Sequence, residues 1–191
     1  MLTYQLFRPL SGYLSIRHKT KPYVDWAIPG LLSAIATLIV FSVKGKVNFY
    51  GDGGFVSLAL GYIQNLPGFY IAALAAIATF PRVEIDQIIS GNPPPRIVNI
   101  DSQGNSNVID LTRRRFLCLM FAFLTAECIA LTIFSVVGIS IAEPLREVVP
   151  NWLHTGLFVG AAFVYFLLFF QLIVATFWGL YYLGEKIHQA N

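Results

Sequence analysis

Charge is what this sequence lacks most. Only 12% of its 191 residues are charged, against 56% hydrophobic, and the mean hydropathy is +0.65; a soluble domain carries about a quarter charged residues. That scarcity excludes a disordered chain, a nucleic-acid-binding module and an ordinary cytosolic enzyme. Cysteine is also scarce. Cys118 and Cys128 lie in one apolar run, separated by about 15 Å of helical rise, too far for a mutual disulfide; they read as thiols packing as small hydrophobes. His18, His154 and His188 show no metal-ligand spacing, and no Ser-His-Asp, zinc or phosphate-loop pattern occurs. No metal, cofactor, enzymatic activity or direct nucleic-acid contact is expected. The first residues lack the short apolar core and small-residue cleavage site of a signal peptide. No internal repeat is present, and the length is small for a secondary transporter.

What is there is apolar sequence in long runs. The pattern predicts an all-α membrane protein, a four-transmembrane-helix bundle with a short cytoplasmic β-hairpin loop. Residues 1–25 read as an interfacial arm, with Leu6, Phe7, Leu10, Tyr13, Leu14 and Ile16 dipped into the bilayer and Arg8, Arg17, Lys19 and Lys21 among the headgroups; a plain folded arm fits the same pattern. The first span covers 26–43, with Trp26 as interfacial anchor, Pro29 in the first turn and Lys44 and Lys46 as its stop. A turn cluster at 50–54 leads to a half-helix over 55–63. Gln64, Asn65, Pro67 and Gly68 then break the run, with Asn65 as N-cap of a second span from 66 to about 80. At about 22 Å that span is short, so it must thin the membrane or extend toward Ile89.

The segment 81–115 is polar. Gly91-Asn92-Pro93-Pro94-Pro95 forces extended chain, and 96–101 and 106–112, joined by a turn at 103–105, read as a hairpin. Two strands alone are marginal in water, so the hairpin should pack on other copies of the chain or on a partner. Spans three and four run from 116 to about 142 and from 152 to about 183, with Pro144 and Pro150 bracketing the loop between them and a tail to 191. The arm, the 81–115 loop and the tail hold ten of the thirteen Lys and Arg, which predicts cytoplasmic termini and a cytoplasmic loop in a bacterial inner membrane.

Glu127 is the sharpest single residue. A carboxylate inside an apolar span is expensive, by about 2.5 kcal/mol or more facing lipid, and such groups face the bundle interior or a water-filled path. It reads as a proton or cation site, as part of a ring around an oligomer axis, or as a structural carboxyl bonded to Gln171, Thr125 or Tyr165. Gln171 invites the same alternatives. The break at Gln64 and Asn65 reads either as a cavity-lining discontinuity or as a corner at the outer surface. Gly68, Ala72 and Ala76, the Gly156/Gly160 pair and Ala122, Ala126 and Ala130 mark packing faces. Arg113, Arg114 and Arg115 read as a cytoplasmic headgroup anchor, or as a site for anionic lipid or a nucleotide phosphate.

In size and layout the chain resembles the small four-span membrane proteins of bacterial antiphage defence, in particular the membrane subunit of the Kiwa system; the likeness covers most of the chain in topology and no diagnostic motif. It implies a homo-oligomer, such as a tetramer, that senses membrane disturbance and engages a soluble DNA-binding partner. Three functions follow. The first is a non-enzymatic membrane component that docks a soluble cytoplasmic partner through 91–112. The second is an oligomeric pore or channel with Glu127 near the path, and the third a small transporter or lipid-handling protein.

Overall fold

The computed structural model describes residues 2–43, 47–79, 81, 83–91, 93–100 and 106–185. The expected stop at Lys44 and Lys46, the hairpin turn at 103–105 and the tail from 186 lie outside them. Four helical segments are long and apolar enough to cross a membrane: Tyr23–Ser42, Phe55–Thr79, Arg113–Val148 and Asn151–Gly184. Around them stand helix α1 (Leu2–Leu14), a short α5 (Val83–Asp86) and one antiparallel pair, β1 (Arg96–Ile100) with β2 (Ser106–Asp110).

The first span begins earlier than Trp26. A π-helical turn, Tyr23–Ala27, runs without interruption into α2 (Ile28–Ser42), with Pro29 in the first turn of α2 as expected. The second span joins α3 (Phe55–Ile63) to α4 (Leu66–Thr79) with only a local kink. Gln64 keeps right-handed helical angles and its N–H bonds the Leu60 carbonyl. The Asn65 amide donates back to the Gly61 carbonyl at 2.9 Å, so it does not act as the expected cap on α4. Together the two pieces reach about 37 Å, enough for the ~30 Å hydrocarbon layer, and no thinning is required. Helix α6 (Arg113–Val148) carries Pro144 inside it. The proline is exposed, so the Ser140 carbonyl it leaves without an α-helical donor remains open to solvent. The connector to α7 (Asn151–Gly184) shrinks to Val149 and Pro150.

Helix α6 is the centre of the molecule. It packs on α1, α3, α4 and α7, while α2 packs on α7 and makes no comparable interface with α3 or α4. The four spans expected from the sequence are thus arranged as a row, α2–α7–α6–α4. Half of the apolar window of α6 is buried, against 22% for the first span and 17% for the second. That difference leaves the outer helices with broad unpartnered apolar faces.

Both ends of the row are closed by polar chain that folds inward. At the end where α6 finishes, the connector 47–54 inserts Phe49 among Phe55, Phe158, Tyr165 and Phe166, with ring centroids 5.5 to 6.2 Å away. The Asn48 amide braces this turn by donating to the Asp52 carbonyl and accepting from the Gly51 N–H, both at 2.8 Å. Gly53 takes the left-handed conformation (φ 68°) that the turn needs. At the opposite end the hairpin is tied to the arm: Arg17 and Arg96 exchange backbone hydrogen bonds of 3.0 and 3.4 Å. Ile16, Ile85, Ile97 and Leu111 are buried beneath them. The hairpin thus finds its packing within its own chain and requires no second copy for it.

Candidate functional site

Glu127 sits on the buried face of α6, 3% exposed, and neither carboxylate oxygen has a hydrogen-bond partner among the described residues. The three partners expected for it are engaged elsewhere. Thr125 donates to the Phe121 carbonyl on its own helix at 2.8 Å, as helical threonines do when no better acceptor is offered. Tyr165 shares a 3.1 Å hydrogen bond with Ser135. The Gln171 amide donates to the backbone carbonyl of Asp25 at 3.0 Å.

Asp25 lies in the π-helical turn, 2% exposed. Its carboxylate accepts a 3.0 Å hydrogen bond from the Tyr13 hydroxyl and pairs with the Lys21 ammonium one helical turn earlier, with both side chains buried. The ammonium also stands 3.8 Å from the centre of the Tyr13 ring, a cation–π contact that is strong when water is excluded. Tyr13 in turn stacks on Phe123 of α6, with centroids 4.8 Å apart. Glu127 is close enough to act electrostatically on Asp25 and Tyr13. Burial raises the Tyr13 phenol far above its ordinary value, and the charge and hydrogen bond of Asp25 add to that effect. Burial also lowers the Lys21 ammonium, with Asp25 pulling the other way.

The result is a buried polar cluster where α1, the π-helical turn, α6 and α7 meet. It holds two carboxyl groups and one cation, so a proton on one carboxyl balances its charge. Such a cluster can bind and release a proton. Among the described residues no group of three or more His, Cys, Asp or Glu could hold a metal ion.

The other residues singled out in the sequence lie apart from this cluster. Gln64 and Asn65 are exposed on the kink and line no interior cavity. Pro67 is half-buried beside it. A Cβ added at Gly68, Gly156 or Gly160 would meet nothing within 4 Å; Ala72 and Ala130 are exposed, and Ala76, Ala122 and Ala126 half-buried. Side chains of neighbouring elements instead press onto the glycine backbone at Gly12 (Leu119), Gly138 (Tyr50) and Gly179 (Met120). The three arginines divide their work. Arg113 is buried, at 3% exposure, and so does not reach headgroups as an anchor would. Arg114 grips Asp86 with two hydrogen bonds of 2.6 and 3.0 Å and also donates to the Ile77 and Ala78 carbonyls at the end of α4. The Arg115 N–H donates to Thr112, the N-cap of α6.

Sequence reasoning found Glu127 and Gln171 but missed Tyr13, Lys21 and Asp25, which it left in an interfacial arm. A signal was present: Lys21 and Asp25 are four apart, the spacing of an intrahelical ion pair, at the threshold of an apolar run. No family model, curated protein or solved structure matches the chain, so the site stands on its own geometry.

Proposed function

We propose that the chain is a non-enzymatic integral membrane protein, acting as a homo-oligomer in a bacterial inner membrane and docking a soluble cytoplasmic partner. The docking layer is built from α1, α5 and the hairpin. The observation that carries this reading is the backbone pairing of Arg17 with Arg96. It fuses the arm and the hairpin into one surface standing on the N-terminal end of the central helix α6. That surface presents Leu6, Phe7 and Val108, each more than 60% exposed, and a movement of α6 would reach it directly. The open faces of α2 and of α3–α4 support association with further copies.

The pore reading is less well supported. A glutamate ring around an oligomer axis needs a side chain that other copies can reach, and Glu127 is enclosed within a single chain. Antiphage defence, as the wider setting, rests on the four-span layout alone, and phage plating with and without the gene tests it.

The central test is photocrosslinking in cells, with a photoreactive residue at Val108 and a control at Trp152, which is also exposed but lies at the opposite end of the row. A discrete adduct with a soluble protein from Val108 alone supports docking. Adducts from neither position, or equal adducts from both, overturn it.

A further inference from the structure

We propose that Glu127 is an exchangeable proton-binding site, reached from the arm side through Asp25, Tyr13 and Lys21. This stands independently of the docking reading. Three observations carry it. The carboxyl is enclosed with both oxygens unbonded, so nothing in the described structure stabilises it as an anion in place. The group beside it is a connected polar chain, with the Tyr13 hydroxyl on the Asp25 carboxylate and the Lys21 ammonium on both. Asp25, at the centre of that chain, sits in a π-helical turn, a distortion frequent at functional sites.

Four titratable groups are close enough to Glu127 to interact with it electrostatically: Tyr13 of α1, Asp25 of the π-helical turn, Tyr70 of α4 and Cys128 of α6 itself. Around Asp25 stand Lys21 and the uncharged Gln171 of α7, while Asp86 of α5 is exposed and held by Arg114. The titratable Tyr62 of α3 is exposed and faces away. Lys21 is the cation beside Asp25, which already holds it. On release, the Glu127 O–H bond breaks and its electron pair stays on the carboxylate. The proton passes by way of the Asp25 carboxylate to water at the arm.

Beyond Glu127 the buried face of α6 continues through Leu131, fully enclosed, to Ser135 and the aromatic plug around Phe49. The buried polar chain therefore lies on the arm side of Glu127 only. The site binds a proton; it does not conduct one.

The experiment is pH- and deuterium-exchange infrared difference spectroscopy on the full chain in nanodiscs. The expected result is a carboxylic-acid C=O band that shifts in D2O, titrates with pH and disappears in Glu127→Gln. Tyr13→Phe keeps the packed ring and removes the hydroxyl, and should slow deuterium exchange of that band about tenfold or more. Should Glu127→Gln fail to fold, Glu127→Asp supplies the assignment by moving the band. A band that persists in both Glu127 variants, or one that never exchanges, overturns the site. Exchange unchanged in both Tyr13→Phe and Asp25→Asn overturns the route. A titration displaced by added sodium would make it a cation site and overturn its assignment to protons.

Discussion

The side-chain amide of Gln171 donates a 3.0 Å hydrogen bond to the backbone carbonyl of Asp25, across 146 residues of sequence. The reason lies in Pro29. In an α-helix the carbonyl of residue 25 accepts from the N–H of residue 29, and proline has none. The chain relaxes into a π-helical turn in which the Ile28 N–H reaches back to the Tyr23 carbonyl, and the Asp25 carbonyl is left for Gln171 to satisfy. One proline thus creates both the distortion that carries Asp25 and the acceptor that fastens α7 to it.

Replacing Gln171 with Leu should strand that buried carbonyl and cost about 1–3 kcal/mol. Pro29→Ala supplies a backbone donor, so Gln171→Leu should cost less in the Pro29→Ala background than alone. Unfolding measured in mixed micelles for the two single variants and the double variant gives the coupling energy. Strict additivity would disconnect Gln171 from the proline.

Asp86 offers a pH test outside the spans. Its hydrogen bonds to Arg114 hold its carboxyl below the ordinary carboxylate value. Its stabilising contribution is therefore complete above the unfolded carboxylate range and is lost as pH falls through the lowered value. The protection of the α5 amides, taken relative to their intrinsic exchange rate at each pH, should fall in acid, and Asp86→Asn should remove that dependence. Arg114→Leu should loosen more than Asp86→Asn, because it also strips donors from the Ile77 and Ala78 carbonyls at the end of α4.

Phe49 should be the most sensitive position in the connector at 47–54. It is 3% exposed among five other aromatic rings, and Phe49→Ala should cost about 3–5 kcal/mol. Exchange at the Phe55 and Val56 amides, which bond the Asn48 and Phe49 carbonyls, reports whether the plug has been released.

Local punctuation made the second span legible. Gly54 before Phe55, and Asn65-Leu66-Pro67-Gly68 after Ile63, place α3 and α4 by turn chemistry alone, and the observed bounds agree. The hairpin strands follow from alternation between Pro95 and Thr112 in the same way. Long-range packing was not legible. Lys21 reads as a headgroup cation until α1 folds back on α6 and encloses it. Pro144 reads as a helix stop, yet an exposed position at the end of a long helix tolerates the lost donor. Nothing in four apolar runs distinguishes a row of helices from a ring. Glu127 stood out as an intramembrane carboxyl, but its neighbours depend on which helix lies beside it.

Glycine contacts separate packing inside the chain from packing between chains. At Gly179 an added Cβ would collide with the Met120 side chain, whereas at Gly156 and Gly160 it would meet open space. Gly179→Val pushes two methyl groups farther into the α6–α7 contact and should destabilise the fold by about 1–3 kcal/mol. Gly160→Val leaves the single chain untouched, since none of the described residues approaches a Cβ at that position. If the GxxxG face of α7 joins copies of the chain, the same substitution blocks the close approach of a neighbouring helix. The paired expectation is a lower unfolding midpoint with unchanged assembly mass for Gly179→Val, and an unchanged midpoint with reduced assembly mass for Gly160→Val. Native mass spectrometry from mild detergent, alongside thermal unfolding, reads both. Full-size assemblies of Gly160→Val would remove this face from self-association and leave the unpartnered sides of α2 and α3–α4 to carry it.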